Sequence, residues 1–166
     1  GLWHDLGKFR PGFQRHIRLD DDAHIEDRVG GREKTHSAAG ALHSLQMLQA
    51  RDGEVGRYAG WLLAHLIAAH HAGLYDSADL SERLQGGGAI DSQRELEEAR
   101  QACAAPAPEL LELPADLDAR RIVLDAPGQR EGEPLAQSLL LRMLFSALVD
   151  ADFLDTEAYL NQNRAA

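Results

Sequence analysis

The sequence predicts an all-α domain, and three observations lead to this prediction. Apolar residues recur at three- and four-residue steps in several long segments, which is the spacing of a helix with one buried face. Short strands do not alternate with helices, and nothing repeats at a fixed period. The chain has 166 residues, of which 44% are hydrophobic and 27% charged. This size and composition are typical of one domain with its own core.

The first part of the chain predicts short helices and a loop. Residues 2–8 have the pattern of a helix end, with Gly7 as the terminating residue. Pro11 is suited to the first turn of a second helix, which we expect to end at Ile17. Residues 19–34 are rich in Asp and Arg and lack an apolar period, so we expect an exposed, mobile loop there.

The remainder of the chain predicts four longer helices. Their expected ranges are Ser37–Ala50, Val55–His71, Asp91–Ala104 and Leu135–Phe153. The last of them is apolar almost all round, so we expect it at the centre of the core. Between the third and fourth helices, three prolines interrupt the pattern. Residues 120–125 (RRIVLD) predict one short strand or an extended connection.

Charge and cysteine content exclude several classes of protein. The single Cys103 cannot form an internal disulfide and has no CxxC context, so we expect a reducing compartment, the cytoplasm. No apolar run reaches the roughly 20 residues of a membrane span, so we expect no membrane partner. A net charge of −10 argues against a protein that grips nucleic acid by bulk charge alone. It does not exclude a metal-assisted nuclease, because bound cations invert the local field.

Histidines and acids at helix ends form the candidate site. The residues concerned are His4, Asp5, His36, His70, His71 and the pair Asp150/Asp152. Imidazole nitrogens and carboxylate oxygens are ligands for Zn, Fe, Mn, Co or Ni, and this mixed set suits octahedral metals better than structural zinc. Two ions about 3.5–4 Å apart drive in-line attack of water on phosphate esters. Asp150 and Asp152 face away from each other on a helix, so only one can point inward.

The sequence around these donors resembles the HD superfamily of metal-dependent phosphohydrolases, whose motif stands here as His4-Asp5-Leu6-Gly7-Lys8. Four further strings narrow the resemblance to the HD nuclease domain of the type I CRISPR-associated helicase-nuclease. They are Lys8–Gln14 (KFRPGFQ), Thr35–Ala41 (THSAAGA), Ala69–Leu74 (AHHAGL) and Ser146–Asp152 (SALVDAD). The resemblance covers nearly the whole chain, residues 1–166, and is weakest over residues 80–133. It implies an HD-domain helical bundle with a dinuclear metal site in its core.

The resemblance also implies a role for each donor. His4 and Asp5 would bind metal, with Asp5 bridging two divalent ions (Mn, Co, Ni, Fe, Mg or Zn). The shell of the second ion would be completed by His36, His70 and His71. Asp152 would close the shell of the first, since it has the family's context Asp152-Phe153-Leu154 and Asp150 does not.

Lys8 and Arg10 are the candidate contacts to nucleic acid. Lys8 lies one turn after His4, so its ammonium could reach the scissile phosphate or the attacking water as a catalytic group beside Asp5. Residues 8–18 carry four cations, two phenylalanines and no acid, a pattern that fits a single-strand track. The alternative is an amphipathic helix with core phenylalanines and solvated arginines. His43 and His65 fit hydrogen-bonded core residues.

We therefore expect a metal-dependent nuclease that hydrolyses single-stranded DNA with metal-activated water. By resemblance it would act with a helicase and an RNA-guided surveillance complex in antiviral defence. No GxxxxGK[ST] loop is present, so the helicase would lie in cis beyond Ala166 or on another chain. The family has another metal-binding His upstream of the HD pair, which we expect from sequence before Gly1. The alternatives are an HD-type nucleotide or cyclic-nucleotide phosphohydrolase and an inactive HD docking module.

Overall fold

A computed structural model describes residues 3–20, 36–124 and 134–164, and it confirms the all-α prediction. Within those ranges every regular element is a helix and no strand is present. The α-helices are α1 (Pro11–Asp20), α2 (Ser37–Ala69), α3 (Ser77–Leu84), α4 (Ala89–Cys103), α5 (Ala119–Leu124) and α6 (Pro134–Arg164). Leu6–Phe9 and Pro108–Leu111 are short 3₁₀ helices. The loop expected over residues 19–34 lies mostly outside the described residues.

The centre of the domain is α2, which is a hairpin of two helical segments. Its backbone breaks at Gly53, where φ is 61° and ψ is −131°, a conformation open almost only to glycine. Residues 37–52 and 54–69 therefore form two segments, as the sequence predicts. Helices α3, α4, α5 and α6 all contact α2, as does the first 3₁₀ helix. The chain thus packs these five elements around the hairpin.

Small and aliphatic side chains fill the core around α2. One cluster joins Trp3 to Ala64, Ile67 and Leu80. A second joins Leu6 to Leu42, Leu96 and Cys103. Trp3 is fixed further because its indole Nε1 donates a hydrogen bond to the Leu110 carbonyl, 3.0 Å away. These contacts attach the N-terminal segment, which carries the HD motif, to α2 and α4.

Two expectations, about the first 3₁₀ helix and about α5, are wrong. Residues 6–9 form a 3₁₀ helix rather than the end of an α-helix, and Gly7 lies inside it instead of terminating it. Residues 119–124 form α5 rather than the short strand or extended connection expected over residues 120–125. The reason for the latter is local, because the Asp118 carboxylate accepts hydrogen bonds from the amides of Arg120 and Arg121 and so caps a helix.

The placement of α6 also differs from the expectation that it would be central to the core. It packs against α2 on one side, while its other apolar positions are exposed, Leu139 at 59% and Phe153 at 69%. A helix that is apolar on all sides lies inside a core only where other elements surround it.

In the described part of the chain, no helix combines the length and the apolar character that crossing a membrane requires.

Candidate metal centre

The two ends of the α2 hairpin bring three histidines together. His36 immediately precedes α2, and His70 and His71 follow its last residue. A straight helix of 33 residues would be about 50 Å long and would keep these ends apart. Because the hairpin turns back at Gly53, the ring centroids of His36 and His70 lie 5.4 Å apart, and those of His36 and His71 lie 4.8 Å apart.

The segment that carries His4 and Asp5 is pressed against the start of α2. The Leu6 amide donates to the Trp3 carbonyl at 3.2 Å and the Lys8 amide donates to the Asp5 carbonyl at 2.8 Å, so the backbone curls tightly around the motif. A Cβ atom at Gly7 would overlap the backbone carbonyl of His36. Glycine is therefore required at this position for the close approach of the two segments.

Asp152 arrives at the same place from α6. Its Oδ1 lies 3.3 Å from Nε2 of His4. Asp150, two residues earlier on the same helix, is exposed to solvent. The structure therefore brings Asp152 and not Asp150 to the HD motif, which is the alternative preferred from the sequence.

These residues form two groups of potential metal ligands. The histidine group consists of His36, His70 and His71, and the His–Asp group consists of His4, Asp5 and Asp152. Within each group, one ligand atom from every residue lies within 4.8 Å of the others. The sequence resemblance implies the same two sets of residues as ion shells, and their binding of metal stays a prediction.

Asp5 connects the two groups through its two carboxylate oxygens. Its Oδ1 lies 3.7 Å from Nε2 of His36 and 3.9 Å from Nε2 of His70. Its Oδ2 lies 3.3 Å from Nε2 of His4 and 2.7 Å from Nζ of Lys8. A carboxylate with one oxygen toward each group has the geometry of a bridging ligand.

Burial keeps the central imidazoles neutral, which is the form that binds metal. Burial, assisted by the neighbouring His71, lowers the pKa of His36 to about 4. Burial also lowers the pKa of His70. The Nδ1–H of His70 donates to the carbonyl of Ile67 at 2.6 Å, which leaves the lone pair on Nε2 toward the site.

The carboxylate of Asp152 is held in its charged form. Its partial burial would raise the pKa, but the hydrogen bond from His4 opposes this effect. The charge of Lys8 adds to that opposition, so the pKa of Asp152 is lowered. An ionised carboxylate beside neutral imidazoles is the donor set that divalent transition metals take.

Buried polar atoms in the site lack partners, which supports a bound cation there. Among the described residues, Asp5 Oδ1, His36 Nε2 and His70 Nε2 are buried and have no hydrogen-bond partner. A buried polar atom without a partner costs about 1–3 kcal/mol. The Nε2 atoms of His36 and His70 lie 3.7 and 3.9 Å from Asp5 Oδ1, so a metal ion between them would satisfy all three atoms together.

Lys8 and Arg10, the two expected nucleic-acid contacts, have different surroundings. The Lys8 side chain is 34% exposed at the edge of the His–Asp group. Arg10 is buried, and its guanidinium pairs with Glu95 at 3.4 Å and with Glu98 at 3.0 Å. The structure thus disagrees with the expectation for Arg10, because its charge is directed to α4 and not to a surface track. Phe13 is also buried, which supports the amphipathic-helix alternative.

Arg10, which the sequence analysis assigned to nucleic acid, is instead a positioning residue, and its partner Glu95 is a residue that the sequence reasoning missed. Their ion pair joins the end of the HD segment to α4. The available signal was the pair of acids Glu95 and Glu98, which share one face of α4. Of the histidines assigned to the core, His43 is buried and accepts from Arg100, and His65 is half-buried with its Nδ1 donating to the Trp61 carbonyl.

A helical domain that joins a His–Asp pair to histidines at the ends of a helical hairpin defines a class, the metal-dependent HD hydrolases. The family model described as "Cas3, HD domain" matches residues 1–149. The chain therefore belongs to the Cas3 HD-domain family, the HD nucleases of CRISPR defence. Asp152 lies just after the matched range. Searches of curated proteins and of solved structures find no match.

Proposed function

We propose that residues 1–166 form one HD nuclease domain that hydrolyses single-stranded DNA with the help of two divalent ions. The main support is the arrangement of the histidine group and the His–Asp group around Asp5, with unpartnered donor atoms between them. Membership of the Cas3 HD family supports DNA as the substrate and a helicase as the partner that delivers it.

The site is accessible from solvent, which supports a polymeric substrate. His71 is exposed, and the side chain of Asp5 is 33% exposed. A strand can therefore pass along the donors without being enclosed by the protein. An enzyme for free nucleotides needs an enclosed pocket that recognises the base, and the described residues around the donors supply few polar groups for that purpose.

Each residue of the site has a role in this proposal. Two divalent ions bound by the two groups would supply Lewis acidity and an activated water at neutral pH. Asp5 holds the groups in register through its two oxygens, and the hydrogen bond from His70 to Ile67 fixes the ring that faces it. The ammonium of Lys8 lies at the solvent side of Asp5, where it can bind a non-bridging phosphate oxygen as negative charge develops.

Matched substitutions in two neighbouring acids test the proposal. Asp152→Asn and Asp150→Asn make the same change in charge two residues apart on α6, but only Asp152 lies beside His4. We expect Asp152→Asn to lower metal content and cleavage of single-stranded DNA by tenfold or more, in the range typical of disturbed metal shells. Asp150→Asn should retain both.

The substrate is tested by comparing single-stranded DNA, duplex DNA and a panel of nucleotides with Mn, Co, Ni, Mg or no added metal. Cleavage of single strands that requires metal and is lost in Asp5→Asn is the expected result. Hydrolysis of nucleotides with DNA left intact would contradict the proposed substrate. Metal loading that survives Asp5→Asn would contradict the proposed site.

A further inference from the structure

A cleft beside the second segment of the α2 hairpin, residues 54–69, combines aromatic and neutral polar side chains. It has a volume of about 690 Å³ and lies between the second segment of α2, α3 and α6. Its lining includes Tyr58, Trp61, His65, Ser77, Ser81 and Ser138. This volume is in the range of small-molecule sites, and such sites pair apolar walls with a few polar groups. The metal centre does not use any of these residues.

We propose that this aromatic cleft binds a nucleobase. Tyr58 and Trp61 are three residues apart, so they share one face of α2. Tyr58 is 38% exposed, while Trp61 is half-buried and packs against the core as well as lining the cleft. An aromatic side chain held by the core is a pre-organised surface for stacking, which favours a base of any sequence.

The polar groups of the cleft complement the edge of a base. Nδ1 of His65 donates to the Trp61 carbonyl at 2.8 Å, so Nε2 carries the lone pair and accepts. The Ser77 hydroxyl is the described neighbour of Nε2, at 3.5 Å. That contact is long enough for an exocyclic amine of a base to replace it. Hydroxyls of Ser81 and Ser138 add groups that both donate and accept.

Charge makes a small contribution to this cleft. Arg57 at its rim pairs with Glu54 of the same turn of α2. Oε2 of Glu54 lies 3.0 Å from Nε and 2.9 Å from Nη2 of Arg57. The cation is therefore partly neutralised, and recognition depends on the base rather than the phosphate. Binding in the cleft should accordingly vary little with salt concentration, unlike binding by bulk phosphate contacts.

The occupant we infer is a base of the DNA strand, and in this respect the inference rests on the proposed function. Ser138 in the cleft and Asp152 at the metal centre are fourteen residues apart on α6, which corresponds to about 21 Å along the helix. A base held there belongs to a nucleotide several positions from the scissile phosphate. A free nucleotide presents the same base, so the test has one arm for each source.

The test measures binding in EDTA, so that metal-dependent cleavage does not interfere. The probes are deoxyadenosine monophosphate and a short single strand of deoxyadenosine. Their binding is measured by calorimetry and by the NMR signal of the Trp61 indole, one of only two indole groups in the sequence. We expect Tyr58→Ala to weaken binding about tenfold. Ser138→Phe, which narrows the cleft without removing packing, should do the same. Ile90→Ala, which changes an exposed side chain outside the cleft, should not.

The outcomes separate the sources and the two proposals. If Tyr58→Ala and Ser138→Phe weaken binding of the single strand, the cleft is supported as a strand anchor. This holds whether or not they also weaken binding of the mononucleotide. Weaker binding of the mononucleotide alone overturns the strand as occupant and leaves a free nucleotide. Unchanged binding of both probes and an unshifted Trp61 signal overturn the inference altogether. A chain that binds in EDTA but does not cleave DNA with any metal would contradict the proposed function and leave the cleft intact.

Discussion

Replacing Arg10 separates a structural role from a role in binding DNA. The side chains of Arg10 and Glu95 are only 5% and 9% exposed, and their charged atoms lie 3.4 Å apart. Breaking such a buried pair by removing one partner costs about 3–5 kcal/mol, because the remaining buried charge loses this counterion. Glu98 is 39% exposed, so its contact with Arg10 adds less than about 1 kcal/mol.

Arg10→Met should therefore lower the free energy of unfolding by about 4 kcal/mol, a large share of the 5–15 kcal/mol typical of a domain. At this chain length, the melting temperature should fall by roughly 10 °C. Urea unfolding followed by circular dichroism measures the change directly. The double variant Arg10→Met/Glu95→Gln should recover part of the loss, since the buried carboxylate that Arg10 neutralised is then removed as well.

Arg94→Met is the matched control for this substitution. Arg94 also pairs with Glu98, but its side chain is 52% exposed. We expect a change within about 0.5 kcal/mol. The reasoning would be refuted if Arg10→Met unfolded at the same urea concentration as the parent and bound single-stranded DNA more weakly. A slope of affinity against salt concentration that is smaller by about one ion would then show the loss of a phosphate contact.

Three further predictions concern the backbone and the buried histidines. Gly7→Ala should lower the amount of bound metal, because the added Cβ would overlap the His36 carbonyl. Gly87→Ala, where the neighbour is the flexible Glu82 side chain, should retain the metal. Elemental analysis of both variants measures the difference. Gly53→Ala should lower the free energy of unfolding by about 1–3 kcal/mol in urea titrations because of the positive φ, and an unchanged value would contradict the strained turn. His43 is buried beside Arg100 and its pKa is lowered to about 4, so only the unfolded chain binds its proton between pH 6.5 and 4. Metal-free protein should lose on the order of 3 kcal/mol of stability from this group as the pH falls through that range, and His43→Gln should show a shallower decline.

The fold class and the donors could be predicted because they leave local signals. The apolar periodicity on either side of Gly53 indicates the two segments of the α2 hairpin, and the structure confirms both. The motif strings identify His4, His36 and His70, and the structure brings these three residues together. A local pattern can be interpreted without knowledge of what packs against it.

The remaining features depend on contacts between distant parts of the chain. The sequence around Arg10 is equally consistent with a solvated and a buried guanidinium, because its partners lie 85 and 88 residues later on α4. The apolar character of α6 likewise does not say how many neighbours surround the helix. In α5, the β-branched Ile122 and Val123 favour a strand, but the Asp118 cap decides for a helix.

The hairpin in α2 has a consequence for the order in which the site assembles. Its two segments are adjacent in sequence, so closing them around Gly53 brings His36 and His70 together at a modest entropic cost. His4 and Asp152 are 148 residues apart, and their contact needs both ends of the domain to dock. Contacts between distant residues form late because loop closure must precede them. We therefore expect the histidine group to exist in partly folded chains, and the His–Asp group to complete the centre only in the final step of folding.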